Sequence, residues 1–241
     1  MSPTKQTLNN SLLSGFLILL ASIIIFAIAQ VIERFLNSYE LASMYISFCA
    51  GFILFTPLVS LALHPLLSVN SDKSNKIKAT GLIVNVGLVA VVQGAFFLIW
   101  MTDAIAIYSI YVDGNSFLAK AFNINSQKTT SLSQEFYWFN VFLAWFFSLL
   151  SLTLGLLPCL IARLKNLGVV GNFVSAFQFA KQCKLQLAVY AFYLAFAVVV
   201  PLMYGKYLFI LLFPITLTWV FVTIAKSYLA SSELSSHPTL K

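Results

Sequence analysis

The sequence predicts an all-α polytopic membrane protein with six transmembrane helices, and three observations predict it. Six apolar runs, nearly all long enough to cross a bilayer, are separated by short segments that carry almost every charge. Hydrophobic residues fill 60% of the 241 positions and charged ones 9%, against roughly 25% charged usage in a soluble domain. The net charge of +7 is spread among loops and tails rather than gathered in a basic domain. That is the pattern of topological sorting and not of nucleic-acid binding.

The first run, Leu12 to Ile32, follows a polar start with one cation, Lys5. Ala27-Ile28-Ala29 mimics a leader cleavage pattern, but the run exceeds a usual leader core, so a retained signal anchor is expected. A short polar link, Glu33 to Glu40, forces a tight hairpin into the second run, Leu41 to Leu67, which contains Pro57 and Pro65. The basic loop Asn70 to Lys78 leads to the third run, about Thr80 to Tyr111. That run is longer than a bilayer needs, so it is expected to tilt, protrude or break near Asp103.

From Asp113 to Glu135 the chain is polar, and Asn123 to Gln134 reads as a substantial loop. The fourth run, Phe136 to Ile161, opens with Phe136-Tyr137-Trp138-Phe139, a cluster suited to the interfacial aromatic belt. Arg163 and Lys165 close its other end. In the segment after Gly168, Phe173, Ala176, Phe177 and Ala180 fall at helical spacing, with Asn172 able to cap the start and Lys181 and Lys184 at the end. A short amphipathic helix on the membrane surface is expected, the alternative being a stub of the fifth span. The fifth and sixth runs, Leu185 to Met203 and Leu208 to Leu229, are joined by Tyr204-Gly205-Lys206-Tyr207 as a second tight hairpin. The tail from Ala230 to Lys241 is expected to be disordered. One integral-membrane domain accounts for residues 1–241.

Of the 14 cations, Arg34, Lys120, Lys128 and Lys206 fall on one side of this topology and the other ten on the side of the termini. Positive-inside sorting therefore predicts both termini in the cytoplasm. Each even-numbered span carries a proline, Pro57, Pro158 and Pro214, so the chain is readable as three helical hairpins. The stretch from Asn172 to Leu229, with its amphipathic segment Phe173 to Lys184 and a last helix running from Pro214 to Ala225-Lys226-Ser227-Tyr228, resembles uncharacterised bacterial inner-membrane families built from helical hairpins. The resemblance covers about a quarter of the chain and carries no catalytic residue. It implies a bacterial inner (plasma) membrane.

Three polar residues of the third run are the candidates for chemistry: Asp103, Asn85 and Gln93. A carboxylate deep in a bilayer is costly unless paired or hydrated and often marks function. Asn85 and Asp103 are five turns apart and so share a face of a straight helix. A membrane core of 20 residues beginning near Leu82 ends just before Asp103, which favours Asp103 among headgroups and Asn85 bonded to another helix.

Other chemistries lack their residues. Cys49, Cys159 and Cys183 form no Cys-x-x-Cys pair and read as small apolar side chains; His64 reads as interfacial. No haem, metal or other cofactor is expected, and no hydrolase, zincin or nucleotide-loop motif points to an enzyme. The leading expectation is an inner-membrane structural, assembly or complex-subunit protein acting through helix packing. Its partners would be lipid and a membrane protein or a second copy. The alternative is a transporter or permease-like component for a small or hydrophobic solute using the polar face of the third span, which requires Asp103, Asn85 and Gln93 to converge on a cavity.

Overall fold

The computed structural model describes residues 3–39, 41–70, 79–111, 129–165 and 167–236. The basic loop 71–78 and residues 112–128, most of the polar stretch Asp113 to Glu135, lie outside them. Among the described residues the chain is helical, without strands. Six helices are long and apolar enough to cross a membrane: Asn9–Ser38, Ala42–Leu67, Gly81–Ser109, Gln134–Leu164, Lys184–Tyr204 and Lys206–Ser231. The chain is thus an all-α integral membrane protein of the multi-pass type, and six crossings return both termini to one end of the bundle.

The helices overrun the apolar stretches. α1 covers Pro3–Ser38 and so takes in most of the expected first link. The fourth span begins with α5 (Thr129–Ser151), which makes the second half of the expected loop Asn123 to Gln134 helical. α9 runs from Lys206 to Ser236, so the expected disordered tail is helical as far as that residue. Polar residues at helix ends keep their backbone bonds in the headgroup region, where nothing in the sequence obliges the helix to stop.

Two spans are broken in the middle, and proline explains both breaks. The second span is assembled from a 3-10 turn at Ala42–Met44, α2 (Tyr45–Phe52), a 3-10 turn at Ile53–Phe55, α3 (Thr56–Ser60) and a 3-10 stretch Leu61–Asn70 holding Pro65. The fourth consists of α5 (Thr129–Ser151), a π turn at Leu152–Leu156 and α6 (Leu157–Leu164). Pro57 and Pro158 each lack the N–H that the carbonyl four residues earlier needs, and each ring presses on that carbonyl, so the preceding turn tightens or widens. The third span, α4 (Ala79–Tyr111), is one unbroken helix with no break at Asp103.

The broken spans lie inside the bundle. The apolar windows of the second, fourth and fifth spans are 61%, 50% and 56% buried, whereas those of the first and third are 22% and 17%. The first and third spans therefore present most of their surface outward. The first packs on the Leu61–Asn70 stretch and on α9; the third packs on the second and fourth spans; α8 (Lys184–Tyr204) fills the space between α5 and α9.

Between the fourth and fifth spans, Gly168 turns the chain at φ 79° and α7 (Val169–Gln182) folds back against α6. It is a separate helix, since Cys183, at φ −108° and ψ 28°, breaks it from α8. Its buried seam is Asn172, Ala176 and Phe179, while Val170, Val174 and Phe177 are exposed. The expected stripe of Phe173, Ala176, Phe177 and Ala180 is thus rotated. Nor does Asn172 cap the helix: Gly168 is the cap residue, and Asn172 sits a turn inside with its N–H on the Gly168 carbonyl.

Candidate functional site

At the middle of the bundle, the helix breaks of the second and fourth spans meet. Pro57 leaves the Ile53 carbonyl without its usual helical donor, and that oxygen accepts from the Thr56 N–H in a 3-10 bond, from Thr56 Oγ1 at 2.8 Å and from Ser151 Oγ at 3.0 Å. The two hydroxyls are themselves 2.6 Å apart. Two protons serve three contacts, so at any instant the carbonyl accepts one or both. Hydroxyl side chains repairing the backbone beside an intramembrane proline turn a defect into an interhelical tie.

One turn further, Gly155 lies against Pro57. A Cβ on Gly155 would fall 2.2 Å from Pro57 Cγ and 2.9 Å from Gln93 Nε2. Glycine is therefore required by close approach, as is common where membrane helices pack. Gln93 completes this contact from the third span. It is fully buried, and neither its Nε2 nor its Oε1 has a hydrogen-bond partner. An orphaned buried amide costs on the order of 1–3 kcal/mol.

Asn85 belongs to a different contact, two turns nearer the end with the termini. Its Oδ1 accepts from Asn172 Nδ2 at 3.4 Å, its Nδ2 points to Cys159 Sγ at 3.8 Å, and Asn172 Oδ1 accepts from the Leu167 N–H at 3.1 Å. The short helix α7 is thereby pinned to the third and fourth spans through one buried asparagine. Both asparagines are 1% exposed or less.

Asp103 joins neither contact. It is exposed, at the rim of a cleft of about 450 Å³ walled by Phe96, Ile99, Phe139 and Phe147. Asn85 and Asp103 are separated although they lie at the same angle on the helix, because the buried seam drifts. It runs Asn85, Val89, Gln93, Trp100, Ala104, Tyr108. Each four-residue step advances it by about 40° relative to a 3.6-residue turn. By Trp100 to Tyr108 the seam is centred roughly 100° from the direction of Asn85, and Asp103 is left at its edge.

The cysteines are free, with Cys49 and Cys159 buried, and no three of His, Cys, Asp or Glu come together among the described residues. His64, at the end of the second span, is buried with its ring stacked on Phe221 at 5.9 Å. At the far end, Lys206 Nζ pairs with Glu33 at 2.5 and 2.6 Å, and the Tyr137 and Tyr204 hydroxyls meet at 2.9 Å. Trp145 Nε1 donates to the Ala188 carbonyl at 3.0 Å, joining the fourth and fifth spans. None of these ties has a sequence signal beyond a polar residue near an apolar run.

No protein-family model, curated protein or solved structure matches the chain.

Proposed function

We propose that this integral membrane protein acts through helix packing, as a structural or assembly subunit of a membrane complex. The observation that carries the reading is the fate of Asn85. A residue that could have lined a polar path is spent on lateral bonds to Asn172 and Cys159, and Asp103 lies exposed on another part of the same helix. Thr56 and Ser151 are likewise turned to each other and to a backbone carbonyl. Polar groups used this way fix helix register instead of hydrating a route. The outward apolar faces of the first and third spans, with Leu12, Phe16, Ile24, Ile83, Val91 and Leu98 exposed, are open to lipid or to partner helices.

A second reading, a transport-associated component, is supported by Gln93. Its unpartnered amide lies mid-span, beside a 3-10 break and a π turn, the setting in which discontinuous helices hold solutes.

Cysteine accessibility separates the two. In a background lacking the native cysteines, Asn85→Cys and Gln93→Cys in intact membranes are expected to stay unreactive toward a small charged thiol reagent until the protein is denatured. The protein in mild detergent is expected to migrate in a complex larger than its 26.7 kDa chain. Reaction at Gln93→Cys from one side of the membrane, with the protein migrating as a monomer, would sink the packing role in favour of the second reading.

A further inference from the structure

At the end of the bundle that carries the termini, a cleft of about 680 Å³ opens between the second, third and fourth spans. Leu82, Ile83 and Val86 wall it from the third span, His64 enters from the second, and Arg163 from the fourth. Gly87 widens it, since a Cβ there would meet nothing within 4 Å. Two polar groups in this apolar setting lack partners among the described residues. His64 is 7% exposed and its Nε2 has no hydrogen-bond partner, although its ring is held by stacking on Phe221. Arg163 is half-buried, and the ion pair of the described residues is the distant one between Lys206 and Glu33.

We propose that this cleft is a binding site for an anionic phospholipid, the phosphate resting on Arg163 and His64 Nε2 and one acyl chain lying along Leu82, Ile83, Val86 and the open side of Gly87. A guanidinium with no carboxylate paired to it among the described residues, set at a membrane end, matches the geometry of a phosphate. Basic pockets between transmembrane helices recognise anionic headgroups on this principle. A free phosphate would satisfy the two polar groups and leave the apolar wall uncovered, whereas a lipid covers both and is supplied by the bilayer at high local concentration. The site is independent of the packing role, since it uses none of the residues that carry that reading.

The test is lipid retention by the purified full chain. Protein reconstituted in nanodiscs of equal parts phosphatidylglycerol and phosphatidylcholine is re-extracted into mild detergent, and the lipid that stays bound is measured by native mass spectrometry. Both lipids offer the phosphate, but the choline ammonium would sit beside the Arg163 guanidinium, so the wild type is expected to retain phosphatidylglycerol about tenfold over phosphatidylcholine. Arg163→Gln should lose that preference and Arg163→Lys keep most of it. His64→Phe preserves the ring stacking on Phe221 and should weaken the preference a few-fold. Gly87→Trp, which builds into open space, should remove bound lipid of both kinds; it carries the test if Arg163→Gln does not fold. Equal retention of the two lipids by the wild type, or an unchanged preference in Arg163→Gln, means ordinary boundary lipid and overturns the proposal. Displacement of the lipid by millimolar inorganic phosphate overturns it as well, because it would assign the site to the free anion.

Discussion

Ser151 Oγ donates to the Ile53 carbonyl at 3.0 Å, across the interface of the second and fourth spans and at the one carbonyl that Pro57 deprives of its helical donor. Thr56 Oγ1 reaches the same oxygen from its own helix. The proline thus creates the acceptor that binds its neighbour, and the kink and the interhelical bond are one feature.

The two hydroxyls back each other up, so their loss is not additive. Interhelical hydrogen bonds in membranes contribute about 0.6 kcal/mol on average, and Ser151→Ala or Thr56→Val alone should cost about that much. Together they remove both side-chain donors and leave the Ile53 carbonyl only the Thr56 N–H of its own helix, so the pair should cost more than the sum of the two single changes. A double-mutant cycle on denaturant unfolding in mixed micelles should show coupling. Strict additivity would mean that the two hydroxyls act independently.

Gly155→Ala should be among the most damaging single changes in the bundle. Its new methyl would overlap the Pro57 ring, at 2.2 Å and 2.7 Å from two ring carbons, and proline cannot swing away as a flexible side chain would. Overpacking of this kind costs about 1–3 kcal/mol. Gly94→Ala, on the third span with nothing within 4 Å of its Cβ, is the matched control and should be neutral or slightly stabilising, since alanine favours helix over glycine. Thermal melts in nanodiscs should fall for the first and hold for the second.

The number and class of the spans were legible in the sequence because the bilayer demands long apolar runs with no other solution. The seams were not. For α7, hydrophobic periodicity pointed to Phe173, Ala176, Phe177 and Ala180, yet Phe177 is exposed and Phe179 and Asn172 are buried. In water an apolar stripe marks the inside; in lipid the outside is apolar too, so small and hydrogen-bonding residues mark the inside instead. Asn85 and Gln93 were visible as polar residues in an apolar run, but Asn172 as the partner of Asn85 depends on how α7 folds back at Gly168. Helical breaks were readable from Pro57 and Pro158, while their meeting through Thr56, Ser151 and Gly155 depended on tertiary packing.

Glu33 and Lys206 pair at the end away from the termini, with side chains 20% and 36% exposed. Partial exposure keeps the pair modest, within about 1 kcal/mol. Either Glu33→Gln or Lys206→Met should lower stability by that order, and the charge swap Glu33→Lys with Lys206→Glu should restore most of it. The loss in the single variants should shrink at high salt. A swap no better than its parts would show that the two side chains hold the first and sixth spans by packing rather than by charge.

Asp103 offers the sharpest check on the drift of the third span's seam. Being exposed and, among the described residues, outside every hydrogen bond that joins spans, it should tolerate Asp103→Asn with a stability change within about 0.5 kcal/mol, the range of surface substitutions. Asn85→Leu, by contrast, removes the acceptor of Asn172 Nδ2 and the donor to Cys159, and should cost on the order of 1–3 kcal/mol through the polar atoms left unpaired. The two residues occupy one angular position on one helix, so only the rotation of the buried seam separates them. Unfolding midpoints of the two variants, measured side by side, should therefore diverge. Equal losses would mean that a neighbouring helix covers Asp103 in the membrane and that the seam runs straight.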